Sequence, residues 1–328
     1  MPGYGFEVSR LTIIIPCLRD TPTEVFEETL ASVLLYKPKD CEILIADGCG
    51  YADPWNVASD GVRFVSTEDR SHPIDVLNEA VRQSDGSILH ILFPGTEVSE
   101  NWTDFPLTLF ETQEIGIVIP SVFDRQKPKR VFAFGICYHR SGVLRTIRRS
   151  LWPEASQMSI VPHISAVFFR KAALQQMNLL NRSFLPQIAY AEATFAMLDA
   201  GWKTQVDPNC RILVRPNHLP GSNPFVWGLQ IERLYFRRLG REASLWSLGS
   251  HFASFASDFW RQLPKLKAFH LLAGRLTGIC FFGEILFSSS GNRKQVTVNS
   301  PPTVPTETRT AKLPDVEQDC PQPVKKTA

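Results

Sequence analysis

Excess charge of either sign is missing from this chain of 328 residues: Lys+Arg number 35 against 33 Asp+Glu, a net charge of +2. No global electrostatic case for nucleic acid as a partner follows from that balance. No run of about 20 apolar residues is free of charge, which excludes a clear transmembrane helix. No basic-then-apolar segment opens the chain, so a secretory leader is not expected. The seven cysteines, Cys17, Cys41, Cys49, Cys137, Cys210, Cys280 and Cys320, are odd in number, widely spaced and without a C-x-x-C pair. That pattern predicts neither a disulfide framework nor a cysteine-based zinc site. His163, His218 and His251 are too scattered for a zinc site as well. The default compartment is the cytoplasm.

What is present is apolar and aromatic. Hydrophobic residues make up 44% of the chain, with 22 Phe and 7 Trp, enough for one large core or two smaller ones. Leu11 to Ile15, Cys41 to Ala46, Val62 to Val65 and Ile88 to Phe93 read as short buried strands. Between them, Val25, Thr29, Leu30, Val33 and Leu34 recur at helical spacing after Thr21-Pro22-Thr23-Glu24, and Ile74, Leu77, Ala80 and Val81 recur within 74–82. Strand, helix, strand, strand, helix, strand predicts an α/β fold with a doubly wound, mostly parallel sheet. Ligands of such sheets lie beyond the carboxyl ends of the strands, here Pro16–Asp20, Asp47–Asp53, Ser66–His72 and Phe93–Val98. Further strands are expected at 115–120, 131–138, 202–206 and 211–214, and helices at 170–177 and 191–200.

The character changes after His218. Residues 230–241 are aromatic and basic, and 243–287 read as helical. From Ser288 onward there is no Phe, Trp or Tyr, and six prolines fall between 301 and 328. Such a segment cannot bury enough surface to fold. Three parts are therefore expected: 1–218, a helical appendage at 219–287, and a disordered tail at 288–328.

Several segments in order carry a resemblance. Leu11-Thr-Ile-Ile-Ile-Pro16 resembles the opening strand of the family 2 glycosyltransferases. Cys41-Glu-Ile-Leu-Ile-Ala-Asp47-Gly48 is similar to their second strand and its D-D-G-S turn. Asp75-Val-Leu-Asn78-Glu-Ala-Val and then Asp85-Gly86-Ser-Ile-Leu resemble the segment leading to the metal loop. Ser165-Ala-Val-Phe-Phe-Arg170-Lys-Ala-Ala-Leu resembles the acceptor-side segment, and Glu192 to Pro208, with Gly201-Trp202 inside, the segment around the catalytic base. The rhamnosyltransferase-like branch, with its L-N-P-D-T-x-V metal loop, is the nearest in flavour. The cover is about residues 10–215. The resemblance implies a GT-A fold, a nucleoside diphosphate sugar donor, a divalent cation (Mg²⁺ or Mn²⁺), and a saccharide or lipid-linked acceptor in cell-surface polysaccharide assembly.

The departures are as informative. The metal loop reads Leu92-Phe93-Pro94-Gly95-Thr96-Glu97-Val98, with Gly95 where the metal-binding Asp is expected, and no D-x-D occurs anywhere. Counting back from Gly201, the E-D of the base falls on Ala189-Tyr190. The first Asp of the turn is Ala46. A hard cation needs an oxygen ligand, which leaves Glu97 as the metal candidate. Transfer with inversion needs a base for the acceptor hydroxyl, which leaves Glu192. Asp20, Asp47, Gly48, Asn78, Gly95, Thr96 and Arg19 are the donor-site candidates. For Asp47 the alternative is a turn residue bonding its own backbone; for Asn78, a satisfied polar group. Arg70, His72 and His218 are further phosphate candidates. Without catalysis, the same residues suit a degenerate relative that binds nucleotide, glycan or partner. Gln230-Ile-Glu-Arg233-Leu resembles the Q-x-x-R-W of processive members. Arg233, Arg237, Arg238 and Arg241, with aromatics from Trp227 to Trp246, suggest peripheral attachment to anionic lipid at the inner face of the membrane.

Overall fold

The computed structural model describes residues 11–67, 72–139, 141–148, 159–219, 223–242, 249–253, 255–256 and 266–288. The tail, Arg70, Arg140 and Trp246 lie outside the described residues, as does the side chain of Arg241.

The sheet begins with β1 (Leu11–Cys17), β2 (Glu42–Asp47), β3 (Val62–Val65) and β4 (Ile88–Leu92). β1 pairs in parallel with β2 on one side and β4 on the other, and β2 with β3. α1 (Thr23–Leu35) and α2 (Pro73–Gln83) are crossovers. β1, β2 and β4 are mostly apolar and buried throughout because both faces are covered, whereas the edge strand β3 turns Arg63 to solvent. Their alternation splits them between two layers. Ile14, Leu44 and Ile91 pack with α2, while Ile13, Ile15, Ile43 and Ile45 pack with Phe26, Leu30 and Val33 of α1.

The sheet continues through β5 (Thr96–Glu97), β6 (Ile115–Asp124), β7 (Lys127–Ala133), β11 (Ala166–Arg170) and β12 (Lys203–Val214), in the order β3-β2-β1-β4-β11-β6-β12-β5. β11 is antiparallel to both β4 and β6, and β7 forms a hairpin on β6. β8 (Ile136–Tyr138), β9 (Leu144–Thr146) and β10 (Ser159–Val161) make a separate three-stranded sheet. The run expected as one strand at 131–138 is cut at Gly135 (φ +107), where a Cβ would meet Ile160 Cγ2 at 2.8 Å. The two segments expected at 202–206 and 211–214 are one strand, bulged between Asp207 and Arg211.

The helices after the sheet's first half are α3 (Asp104–Leu109), α4 (Lys171–Gln176), α5 (Pro186–Asp199), α6 (Pro224–Glu242) and α7 (Leu266–Ser288). α5 starts five residues earlier than the sequence predicts, with Pro186 in its first turn, where the missing N–H has no partner to lose. Ile231 and Leu234 of α6 join the main apolar cluster.

Candidate functional site

All four parallel strands end on one side, at Cys17, Asp47, Val65 and Leu92. Arg19 and Asp20 lie exposed in the turn after β1, which is closed by Thr21 N donating to Leu18 O at 2.9 Å. After β2, Asp47 is 7% exposed, and its Oδ1 accepts from the backbone N–H groups of Cys49 (3.1 Å), Gly50 (2.7 Å) and Tyr51 (3.1 Å). Gly48 N donates to Cys17 O at 2.7 Å, fastening the turn to β1. Asp47 therefore builds the turn that walls the crevice, the alternative open at the sequence level. The structure corrects one cysteine expectation here. Cys17 and Cys49 form a disulfide with their Cα atoms 5.9 Å apart. The register explains it, since Cys17 pairs with Asp47 and Cys49 is two residues on. Cys17, Asp47 and Cys49 are also the only group among the described residues with three potential ligand atoms within 4.8 Å of one another. With both sulfurs bonded to each other, that group offers no thiolate.

The loop after β4 is held from several sides. Thr29 Oγ1 of α1 accepts from Gly95 N at 3.0 Å and lies 2.9 Å from Thr96 O, and Thr96 Oγ1 donates to Phe93 O at 2.7 Å. Arg215 N donates to Gly95 O at 2.9 Å. Gly95 has φ +88, and a Cβ on it would lie 3.1 Å from His218 Cβ. His218 thus stands against the loop, although it follows β12 by four residues. Thr96 is buried and binds only within the fold, so it is a brace for the loop and not a free donor-site hydroxyl.

These residues do not fit a divalent cation bound to a diphosphate. A Cβ at position 95 would press on His218 Cβ at 3.1 Å, so an Asp there needs one of the two residues to give way. The candidate ligand Glu97 is engaged elsewhere: its Oε2 lies 2.8 Å from Arg125 Nε, and Arg125 and Arg215 both pair with Glu28. A cation at Glu97 would sit beside the Arg125 guanidinium and compete with its charge.

The opposite wall comes from the start of β11 and from α5. Phe93 N donates to Ser165 O at 2.9 Å, so the segment 163–165 adjoins the end of β4. His163 Nδ1 is 2.8 Å from Ser165 Oγ and accepts from Ser165 N at 3.2 Å, which leaves the ring proton on Nε2. Burial lowers its pKa to about 4, so the ring is neutral near pH 7. Its ring meets Phe132 edge-on at 5.4 Å, and Phe132 and Leu219 each pack against the Val122–Ala133–Val214 cluster. Gln187 holds this segment, accepting from Ile164 N (2.7 Å) and donating to Pro162 O (2.9 Å). Sequence reasoning dismissed His163 as a metal ligand and did not see it as part of this wall. The signal was its place just before the acceptor-side segment.

Tyr190, at the position counted for the family's base, is fully buried against Phe93 and Phe169, and desolvation raises its phenol well above the usual range. Glu192 is two residues on, a helical rotation of about 200°. It faces α6, where Oε1 lies 3.2 Å from Arg237 Nη1 and 3.4 Å from Asn181 Nδ2. Its carboxylate therefore does not stand where that base stands. Asn78 takes the second of its two readings, a satisfied polar group. Its Nδ2 donates to Leu180 O at 2.8 Å and its Oδ1 accepts from Leu180 N at 3.0 Å, making it a buried staple between α2 and the segment before α5. His72 caps α2, its Nδ1 accepting from Ile74 N at 3.3 Å.

The α6 segment has a different role from the one expected. Gln230 Oε1 accepts from Leu185 N at 2.5 Å and Arg233 Nη1 donates to Ser183 O at 3.3 Å. The Q-x-x-R residues thus pin the entry to α5. Arg237 pairs with Glu192, and Arg238 lies over Phe195 at 4.1 Å. These two arginines contact α5, with the Arg237 side chain still 47% exposed. Unforeseen in the sequence is a buried ion cluster: Glu232 Oε2 meets His251 Nε2 at 2.7 Å and Glu232 Oε1 meets Arg275 Nε at 2.6 Å, tying α6 to α7.

No protein-family model matches the chain, and no curated protein matches it. Solved structures do. TarS of S. aureus, residues 1-349, superposes with a TM-score of 0.55 at 11% identity, over 84% of this chain and 81% of that one. GalNAc-T7, solved with UDP, GalNAc and Mn2+, superposes with a TM-score of 0.53 at 14% identity, over 73% of this chain and 51% of that one. This chain thus spans about half the length of GalNAc-T7. The fold is that of the GT-A glycosyltransferases.

Proposed function

We propose that this chain is a glycosyltransferase that moves a sugar from a nucleoside diphosphate donor to a saccharide or lipid-linked acceptor in cell-surface polysaccharide assembly, at the inner face of the membrane, without a divalent ion on the diphosphate. The observation that carries the reading is the strand-end side of β1, β2 and β4, where ligands of such sheets bind. It has the GT-A strand order, a turn organised by Asp47, and a loop backed by His218 in place of a carboxylate. A leaving diphosphate needs charge or hydrogen-bond donors where its own charge grows. The reading draws those donors from Arg19, His218 and the Nε2–H of His163. GalNAc-T7 was solved with Mn2+ and a nucleotide; the Gly95–His218 contact is the reason for omitting the metal from this reading.

A second reading, binding of the nucleotide sugar without turnover, draws on Tyr190. A phenol kept protonated by burial cannot take an acceptor proton at neutral pH, and Glu192 faces α6. A panel of UDP-, GDP- and dTDP-sugars with mono- and oligosaccharide and polyprenyl-phosphate acceptors, read by mass spectrometry, separates the two. Appearance of a glycosylated acceptor supports transfer. Donor binding with no product over the whole panel supports the binder.

A further inference from the structure

The hairpin of β6 and β7 carries charge of one sign. Asp124 opens its turn, and no further acid follows until Glu154. Asp124 Oδ1 accepts from Gln126 N at 2.9 Å, so that carboxylate closes its own turn. The register then slips. Lys127 pairs with Asp124 and Val131 with Phe123, so one step along β6 answers four along β7. Pro128, Lys129 and Arg130 are left over as a bulge outside the ladder. Pro128 has no N–H to give a partner strand, and Arg211 Nη2 donates to its carbonyl at 3.0 Å, fastening the bulge to β12. Lys127, Pro128, Lys129, Arg130 and Arg211 are all exposed.

Two kinds of cation meet here. The inner ones are neutralised: Arg125 pairs with Glu97 and Glu28, and Arg215 with Glu28. The outer ones are not. Among the described residues Lys127, Lys129 and Arg130 form no ion pair with an acid. Arg211 spends its contacts on the Pro128 carbonyl and on the Phe123 ring, 4.1 Å away. Four uncompensated cations therefore stand together in a chain whose net charge is +2. An edge strand is kept unpaired by charge of either sign; four of one sign select an anionic partner. Their surroundings select which one. Single-stranded nucleic acid needs rings to stack on, but Phe123 is 9% exposed and covered by Arg211, and Phe132 meets His163. No exposed large hydrophobic side chain among the described residues lies on the hairpin, so an apolar protein interface lacks its anchor. Headgroup phosphates need neither. We infer that the bulged hairpin, through Lys127, Lys129, Arg130 and Arg211, docks the chain on an anionic phospholipid surface. Arg125 ties the hairpin to Glu97, two residues after Gly95, so the docking surface borders the loop at the end of β4. The inference gives a contact to the membrane location in the proposed function and does not rest on sugar transfer.

The test is flotation of the full chain with phosphatidylcholine vesicles and with vesicles of equal parts phosphatidylcholine and phosphatidylglycerol. No sugar nucleotide or acceptor is added, so its failure is separate from a failure of transfer. Binding to the anionic vesicles alone is expected, and raised salt should release it. Each cation close to an anionic leaflet strengthens binding roughly 5-fold. Lys127→Gln with Lys129→Gln and Arg130→Gln should therefore lower the bound-to-free ratio about 100-fold. Lys37-Pro38-Lys39 after α1 supplies a matched exposed pair, with Asp40 beside it. Lys37→Gln with Lys39→Gln should leave the ratio within about 3-fold of the parent. Circular dichroism checks that the variants fold. A lysine-acetylation footprint of the unaltered chain, read by mass spectrometry, needs no variant: anionic vesicles should protect Lys127 and Lys129 and leave Lys37 and Lys39 reactive. Absence of flotation at low salt overturns the proposal. So does flotation that the folded hairpin variant retains, or that leaves Lys127 and Lys129 reactive. Binding to soluble polyphosphate with none to vesicles overturns it as well, since the partner would then be a dissolved polyanion.

Discussion

Putting an Asp back at position 95 should not restore a metal site, and the reason is geometric. Gly95 has φ +88. A residue with a Cβ pays roughly 1–2 kcal/mol for that left-handed backbone, Asp somewhat less than most. The new Cβ also meets His218 Cβ at 3.1 Å, and His218 cannot easily withdraw. Arg215 N is bonded to Gly95 O at 2.9 Å and His218 N to Arg215 O at 3.0 Å. Forcing extra volume into a packed contact costs about 1–3 kcal/mol. Gly61 supplies the control, with φ +82 and nothing within 4 Å of its added Cβ. Gly61→Asp should therefore show the backbone cost alone, and Gly95→Asp that cost plus the contact. At roughly 2–4 °C per kcal/mol, Gly61→Asp should lower Tm by about 2–6 °C and Gly95→Asp by several degrees more. Differential scanning calorimetry measures both. Calorimetric titration of Gly95→Asp with nucleotide, in EDTA and in Mn²⁺, should give affinities within about 10-fold of each other. If Gly95→Asp melts with Gly61→Asp and its nucleotide affinity becomes strongly dependent on Mn²⁺, the loop can accept a metal-binding geometry and the reasoning fails.

Three more expectations concern the surroundings of the site. Burial holds the imidazoles of His90 and His163 neutral, with pKa lowered to about 3 and about 4. The unfolded chain takes those protons near pH 6.5, so it binds more protons below that value, and stability falls by about 1.4 kcal/mol per pH unit for each ring as pH drops toward 4. Urea midpoints from pH 7 to 4.5 should show that slope, and His90→Leu should remove about half of these two rings' share; a flat profile contradicts it. Asn78→Ala leaves the buried N–H and C=O of Leu180 unpaired and should cost about 2–3 kcal/mol with nucleotide affinity within 2-fold of the parent; lost affinity at unchanged stability would return Asn78 to the donor site. Cys49→Ser opens a crosslink spanning 32 residues, worth about 4 kcal/mol in chain entropy; dithiothreitol should lower the parent's Tm and leave the variant's unchanged, and equal responses would mean that the bond does not hold the strand ends together.

The parallel half of the sheet was legible because its central strands are buried on both faces: Ile13–Ile15 and Ile43–Ala46 are continuous apolar runs bounded by Pro16 and Asp47-Gly48. α2 was legible for the complementary reason, a regular stripe facing one core layer. The hairpin of β6 and β7 was not, because Lys127–Arg130 is exposed and polar and becomes a strand only through pairing with β6. At the site, positions along the chain were readable and directions were not. Gly95, Thr96 and Asp47 do flank the strand ends. That Glu192 faces Arg237 while Tyr190 faces Phe93 depends on how α5 is rotated against the sheet, which no local pattern encodes. The arginines of α6 show the same limit: periodicity put them on one face, but only packing shows that Arg237 reaches Glu192 and that Arg238 lies over Phe195.

The central claim, a nucleotide-sugar site that works without a metal at Gly95, is tested most directly by calorimetric titration of the unaltered protein with UDP, GDP and dTDP, each in EDTA and in millimolar Mn²⁺. The account predicts that one of the three binds, and that its dissociation constant changes by less than about 10-fold, near 1.4 kcal/mol, when Mn²⁺ replaces EDTA. A larger tightening by Mn²⁺, or no binding of any of the three under either condition, contradicts it.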